Sequence, residues 1–127
     1  MTWTVRHDPA TGVVKVAYTG RVTSADLVEA ATARIRLQKE VGAKRVLIDI
    51  SGVTEPDAGI PDVFELPGKL YAEMEACPQS RMAVVLPEDR RIRDIACFFE
   101  TASRNRGWMV RSFEKRRDAL DWLDGED

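Results

Sequence analysis

The sequence is poor in the residues that form disulfide frameworks, metal centres and nucleophilic catalytic sites. Its 127 residues include two cysteines, Cys77 and Cys97, and a single histidine, His7. Two thiols so far apart form neither a disulfide framework nor a metal-ligand pair, and nothing in the sequence brings His7 to either of them as a base. We therefore expect both cysteines to be reduced, buried and structural. We expect no metal and no cofactor.

Long apolar runs and a strong net charge are also absent. No apolar stretch approaches the length of a membrane span, and the residues after Met1 lack the basic and apolar regions of a signal peptide; we expect a cytoplasmic protein. The formal net charge is only -2, so the chain as a whole favours neither nucleic acid nor an acidic membrane as a partner. Glycine-rich phosphate loops, zinc spacings and Ser-His-Asp constellations are missing as well.

The residues that are present have the composition of one globular domain. Hydrophobic residues make up 44% of the chain and charged residues 31%, as in ordinary soluble proteins. A chain of this length buries roughly two-thirds of the surface that it exposes when unfolded, which is enough for a core without cross-links. No linker or repeat divides the sequence, so residues 1–127 are predicted to form a single domain.

The first part of the chain predicts a β-hairpin followed by a helix. Residues 3–7 and 13–18 have strand-like composition, and the Pro and Gly between them favour a turn. Thr23 and Asp26 form a capping-box pattern at the start of a helix over residues 24–41.

The rest of the chain alternates strands and helices around one short apolar strand. Residues 45–51 are almost continuously apolar, which is typical of a buried parallel strand at the centre of a sheet, and the polar residues 52–59 are predicted to form a loop after it. The segments that follow are a second helix starting at Pro61 and broken at Pro67-Gly68, a strand over 81–86, a third helix over 89–106, a strand over 108–113 and a last helix over 118–123. This order predicts an α/β fold, in which a mixed, mostly parallel five-stranded sheet with an N-terminal β-hairpin carries four covering helices, β-β-α-β-α-β-α-β-α.

Several stretches resemble the bacterial STAS, or SpoIIAA-like, superfamily. They are Thr-Gly-Arg-Val-Thr-Ser-Ala-Asp over residues 19–26, Val-Leu-Ile-Asp-Ile-Ser-Gly over 46–52, and the closing pattern over 113–123. Residues 98–107 look like a segment found in small bacterial members. Together, in this order and spacing, these stretches cover most of the chain, and the resemblance implies the fold of that superfamily.

The resemblance implies regulation or binding rather than catalysis. STAS modules in anti-sigma-factor antagonists bind a kinase-like partner and are switched by phosphorylation of a Ser or Thr after this strand. Aligned on Gly59, that position is Asp57, which can imitate a phosphorylated residue but accepts no stable regulatory phosphate. The implied partner-binding loop contains Thr54, Glu55, Asp57 and Gly59. The alternative is structural: Asp57 caps the second helix.

Three arginines form a second candidate site, for an anion. Arg90, Arg91 and Arg93 fall in the first turn of the third helix, where the helix dipole disfavours cations. An anion bound between the helix N-terminus and the guanidinium groups would make this arrangement favourable. The alternative is that neighbouring acids pair with the arginines on an exposed surface; these acids are Glu88, Asp89 and Asp94.

Three functions compete. The first is a non-catalytic STAS-like regulatory or protein-binding module that uses the loop after the central strand. The second is a small carrier of apolar ligands or lipids, similar to the CRAL-TRIO domains with which related members have been compared. Its pocket would lie under the broken second helix and be lined by aromatic residues that otherwise belong to the core: Tyr71, Phe98, Phe99, Trp108 and Trp122. The third and least expected is an enzyme that uses Asp49 or a thiol; otherwise Asp49 bonds a neighbouring loop or lies on the less covered sheet face.

The predicted partner is a protein of unknown identity, because the basic residues of the chain follow no nucleic-acid-binding motif. A second copy of the chain is one candidate. The N-terminal hairpin leaves a sheet edge that needs protection, and a homodimer would supply it. The alternative is that Arg6 and Lys15 blunt this edge.

Overall fold

The five strands of the chain form one β-sheet, and helices pack on it. The computed structural model describes residues 2–57, 69–74 and 79–125. The strands are β1 (Trp3–Asp8), β2 (Val13–Val22), β3 (Arg45–Pro56), β4 (Arg81–Val85) and β5 (Met109–Phe113). The helices are α1 (Ser24–Val41), the single turn α2 (Tyr71–Glu73), α3 (Arg90–Asn105) and α4 (Arg116–Asp124). The predicted order of elements is confirmed.

The strands lie in the order β1-β2-β3-β4-β5, so β3 occupies the centre of the sheet as predicted. β1 and β2 form the antiparallel hairpin, with Trp3 opposite Tyr18, and its turn contains Gly12 at a φ of 75°, a conformation that glycine adopts without strain. The other neighbours, from β2 to β5, pair in parallel. The mixed, mostly parallel sheet is therefore confirmed, and the carboxyl ends of its four parallel strands point to the same edge.

Helix α1 begins with the predicted capping box. Thr23 Oγ1 accepts a hydrogen bond from the backbone N–H of Asp26 at 3.2 Å, and Asp26 Oδ2 accepts one from the backbone N–H of Thr23 at 2.9 Å. A cap of this kind stabilises a helix by about 1 kcal/mol, because it satisfies backbone donors that have no partner inside the helix. Gly42 ends the helix at a φ of 71°, the left-handed conformation common at helix ends.

Both faces of the sheet are buried, each by different helices. On one face, side chains of β3 and β4 such as Val46, Ile48 and Met82 pack in a core with residues of α1, α3 and Tyr71. On the other face, Leu47 and Ala83 pack against the inward side of α4. Successive residues of β3 thus enter separate cores, which explains why this strand is almost continuously apolar.

The central strand is longer than predicted. Residues 52–56, expected in a loop, are part of β3 and pair with the end of β2, with Thr19 opposite Gly52 and Val22 opposite Pro56. This pair of segments, residues 19–22 and 52–56, is called the β2–β3 extension below; it continues beyond Asp49, the last residue of β3 that pairs with β4. Two register shifts interrupt the pairing. Such bulges hide the two-residue period by which a strand is recognised in a sequence, which is why the prediction is wrong.

Much of the predicted second helix lies outside the described residues. This applies to its start at Pro61, its break at Pro67-Gly68, the inward Phe64 and its end at Cys77-Pro78. Within the described part, Tyr71 is buried as predicted, and Leu70 and Met74 pack against the same core. Among the helices of the described ranges, none has the length and apolar content that crossing a bilayer requires.

Candidate functional site

The predicted partner-binding residues lie at the end of the β2–β3 extension. Thr54 and Glu55 belong to β3 and are both exposed, and Asp57 directly follows the strand. Gly59 lies outside the described residues. Two consecutive exposed residues are unusual in a strand; here Gly20 pairs with Val53 and Arg21 with Glu55, which leaves Thr54 as the extra residue of a bulge.

Asp57 is held against β2 by two contacts. Its backbone N–H donates to the carbonyl oxygen of Val22 at 2.9 Å, and its carboxylate accepts a hydrogen bond from Arg21 Nε. The hydrogen bond to Asp57 raises the pKa of the Arg21 guanidinium above its usual value. Because the Arg21 side chain is 68% exposed, this ion pair contributes little to stability; its consequence is to orient the Asp57 carboxylate. The helix that Asp57 was alternatively predicted to cap involves residues outside the described part.

Two of the three candidate anion-binding arginines already have carboxylate partners. Arg91 Nη2 lies 2.9 Å from Asp89 Oδ2, and Asp89 also caps α3, since its Oδ1 accepts the backbone N–H of Arg91 at 2.9 Å. Arg93 pairs with Glu114, at the end of β5. Arg90 is exposed and forms no salt bridge with the described residues. The pairing of Arg91 with Asp89 agrees with the alternative that neighbouring acids pair with these arginines. The partner of Arg93, Glu114, is distant in the sequence and was not predicted.

Residues of the two predicted sites lie at the same edge of the sheet, because one site follows the end of β3 and the other the end of β4. The hydrogen bond to Asp89 raises the pKa of the Arg91 guanidinium, as the hydrogen bond to Asp57 does for Arg21, and the negative charge of Glu55 makes a smaller contribution to both shifts. Glu55 therefore lies within electrostatic reach of an arginine from each site. Together with Asp57 and Asp89, these residues form an exposed surface of alternating charge, named here the carboxyl-edge surface. The sequence predicts the partner-binding site and the anion-binding site of this surface separately. Arg21 was not predicted, because it becomes the partner of Asp57 only when β2 pairs with β3.

Asp49 is bound on the opposite side of the sheet. Its Oδ1 accepts hydrogen bonds from the Ser51 N–H at 2.9 Å and the Ser51 hydroxyl at 2.6 Å, and its Oδ2 accepts one from Arg116 Nη1 at 3.0 Å. Both carboxylate oxygens are therefore occupied in tying the end of the β3–β4 ladder to the first residue of α4. Asp49 thus has a structural role, although its partners are Ser51 in the same strand and a helix residue and not a neighbouring loop.

The prediction that Cys97 is buried is wrong. Cys97 is an exposed free thiol, because the buried stripe of α3 runs through Ala96 and Phe99 and a residue next to Ala96 points about 100° away from it around the helix. Cys77 lies outside the described residues. A residue next to a buried residue in the sequence of a helix therefore need not be buried itself.

The aromatic residues predicted to line one pocket are divided among three places. Tyr71 and Phe99 line an apolar pocket of about 100 Å³ between the sheet, α1 and α3. Trp108 packs edge-on against Tyr71, with ring centres 5.2 Å apart. Trp122 packs on Phe113 at 5.8 Å on the other face of the sheet, and Phe98 is 36% exposed.

Sequence analysis also missed Arg34, a buried cation in the wall of this pocket. It is 3% exposed and lies among lining residues that, within the described part of the chain, are otherwise apolar or tyrosine. One signal existed: Arg34 follows Ala30 by four positions and Ala31 by three, so it falls on the apolar face of the predicted helix. Elsewhere, the described residues contain no group of His, Cys, Asp or Glu suited to hold a metal ion.

Comparison with known proteins identifies the fold. No protein-family model matches the sequence, and no curated protein matches it. Several solved structures are similar, and three of them are compared with this chain. An anti-sigma factor antagonist from Mycobacterium paratuberculosis has a TM-score of 0.63 at 16% sequence identity, over 97% of this chain and 95% of its own. The anti-sigma factor antagonist SpoIIAA in its unphosphorylated form has a TM-score of 0.57 at 16% identity, over 97% of this chain and 98% of its own.

The third structure is an uncharacterised DUF3478-family protein with a SpoIIAA-like fold from Shewanella loihica PV-4. Its TM-score is 0.57 at 20% identity, over 95% of this chain and 91% of its own. Identities this low speak for the fold and leave function to be argued from the site. From the sheet order and these three full-length matches, we conclude that the chain has the STAS, or SpoIIAA-like, fold that its sequence motifs resemble.

Proposed function

We propose that this protein is a non-catalytic, cytoplasmic regulatory module that binds a protein partner through the carboxyl-edge surface. The observation that carries the proposal is the Arg21–Asp57 pair at the exit of the central strand, where the exposed Glu55 acts electrostatically on both Arg21 and Arg91. In open α/β sheets, binding sites form where parallel strands deliver their carboxyl ends. Two of the similar structures are anti-sigma factor antagonists, which supports a regulatory role for the same fold.

The arrangement of charges favours a macromolecular partner over a small substrate. Arg21, Arg91 and their acids are fixed in pairs yet exposed, and a surface that alternates in sign selects a partner with the opposite pattern. The carboxylate of Asp49 accepts three structural hydrogen bonds, two from Ser51 and one from Arg116. Binding without chemistry is therefore the function that the described side chains support best.

We further propose that partner binding does not depend on phosphorylation of this surface. At the position where the resemblance implies a phospho-acceptor, Asp57 carries a permanent negative charge, and Arg21 binds it. An aspartate has less charge and fewer acceptor oxygens than a phosphorylated serine. The affinity for the partner would thus be the same with and without phosphorylation, and phosphatase treatment should not change the amount of partner recovered.

A pull-down with matched variants tests the proposal. Asp57→Arg reverses the charge of the surface and breaks its pair with Arg21, whereas Asp118→Arg makes the same substitution at an exposed position of α4, on the other side of the sheet. A protein recovered by the wild type and Asp118→Arg, but lost with Asp57→Arg, is the expected partner. Equal recovery by all three, each shown to be folded by circular dichroism, would contradict the proposal.

A second copy of the chain is the alternative partner, through a different surface. β1 lies at the edge of the sheet, with Arg6 exposed on it, while Lys15 is paired with Asp8 at 3.3 Å. An unpaired edge strand invites either association or protection by charge. Dimerisation through β1 would survive Asp57→Arg, so the same variant separates the two proposals.

A further inference from the structure

Arg34 is held firmly at the wall of the apolar pocket. Its Nη1 donates to Gln38 Oε1 at 2.7 Å, and its guanidinium carbon lies 5.0 Å from the centre of the Tyr71 ring. Gln38 in turn donates through Nε2 to Ser80 Oγ at 3.0 Å and to the carbonyl oxygen of Ala43 at 3.2 Å. This chain of contacts fixes the guanidinium group in one place, where it is 3% exposed.

These contacts orient the guanidinium without neutralising it. No carboxylate in residues 2–57, 69–74 or 79–125 forms a salt bridge with Arg34. The nearby phenols supply no negative charge either, since burial raises the pKa of both Tyr18 and Tyr71 above the usual value. A buried cation without an opposite charge is strongly unfavourable. Within the described residues, Arg34 is therefore a buried cation with no opposite charge, and it lies in the wall of an apolar pocket.

We propose that the pocket binds a small monocarboxylate with a short apolar tail, whose carboxylate pairs with Arg34. A planar guanidinium group matches a carboxylate through two parallel hydrogen bonds. The tail would lie against apolar residues such as Leu27, Ala31, Ile48 and Ala96. The pocket volume of about 100 Å³ is small, which favours an acid with a short tail, such as butyrate, over long-chain lipids.

This inference is independent of the partner-binding function, because it rests on the interior of the domain and the other rests on the surface of the β2–β3 extension. The two sites share structural elements but no side chains: in β3, for example, Val53 and Pro56 line the pocket, whereas Thr54 and Glu55 are exposed.

Titration of the ¹⁵N-labelled protein, followed by two-dimensional NMR, tests the ligand class. The probes are butyrate, its uncharged analogue butyramide, and inorganic phosphate as an anion without a tail. Butyrate is expected to shift the amide resonances of Ala31 and Ala96 saturably in the millimolar range, with butyramide and phosphate at least about tenfold weaker. An equal response to butyrate and butyramide, or no saturable response to butyrate, would overturn the proposal.

Matched variants place the ligand in the pocket. Arg34→Met replaces the guanidinium end of the side chain by an uncharged, flexible one, and Arg36→Met makes the same change at an exposed position of α1. Butyrate affinity should fall at least about tenfold in the first and stay unchanged in the second. Ala96→Leu fills the pocket and leaves the guanidinium group in place, so this variant should also lose butyrate binding. If Arg34→Met does not fold, Ala96→Leu still tests whether butyrate binds in the pocket. Wild-type affinity in Ala96→Leu would overturn the proposal.

Discussion

The length of the central strand can be tested by two alanine substitutions at adjacent residues. Val53 and Thr54 both fall in the segment that sequence patterns predict to be a loop. In the structure, Val53 is 7% exposed and belongs to the main core, whereas Thr54 is exposed as the extra residue of a bulge. If residues 52–56 formed a solvated loop, both substitutions would have small effects. If they form part of β3, the effects must differ.

The expected difference follows from burial. Val53→Ala removes two buried methyl groups, worth roughly 0.8 kcal/mol each in transfer from water, and leaves unfilled volume that adds to the cost. Because Val53 already faces the apolar pocket, the added cost is small, and the free energy of unfolding should fall by about 2 kcal/mol in total. Thr54→Ala should change it by less than about 0.5 kcal/mol.

Urea denaturation followed by circular dichroism provides the measurement. The midpoint should fall for Val53→Ala with an unchanged slope, which shows that stability rather than the extent of unfolding has changed. In thermal unfolding, the same loss corresponds to a decrease in Tm of about 6–10 °C for a domain of this size. A Val53→Ala protein within about 0.5 kcal/mol of Thr54→Ala would refute the burial of β3 beyond Ser51.

Two further predictions concern single side chains. The backbone N–H of Thr23 lowers the pKa of Asp26 below its usual value, so its carboxylate stabilises the fold above the unfolded pKa of about 4 and this contribution is lost as the pH falls through the lowered pKa. The urea midpoint of the wild type should therefore drop more than that of Asp26→Asn between about pH 5 and about pH 3; parallel drops would contradict the capping role. Cys97 is exposed, so the native protein should react with a water-soluble thiol reagent and Cys97→Ser should lose this fast reaction. Reaction only after unfolding would show that the thiol is buried.

Most of the fold could be predicted because its signals are local. The capping box at Thr23 and Asp26 and the turn before Val13 are patterns within a few residues of chain, and each specifies its own backbone geometry. The apolar run over residues 46–50 required burial on both faces, which in turn required helices on both sides of a parallel sheet. These requirements agree with one another, and together they predict the order of elements along the chain and the central position of β3 in a mostly parallel sheet.

The candidate site was predictable only in part. Its chemistry-bearing residues Glu55, Asp57 and Arg91 were recognised, but their common location was not, because the charges meet only when β2, β3 and α3 are assembled. The pairs Arg21–Asp57, Arg93–Glu114 and Asp49–Arg116 join residues 36, 21 and 67 positions apart. No periodicity in the sequence can report contacts between residues so distant along the chain.

By itself, the sequence determined the identity and order of the secondary structure elements and the burial of the central strand, since backbone propensity and hydrophobic periodicity act over a few residues. Tertiary structure alone decided that β3 continues past Ser51, that Cys97 faces solvent, and that Arg34 stands beside an apolar pocket. These features depend on which surfaces meet when the helices pack on the sheet. Packing depends on the whole chain, and it decides which charged side chains lie close together at the proposed binding surface.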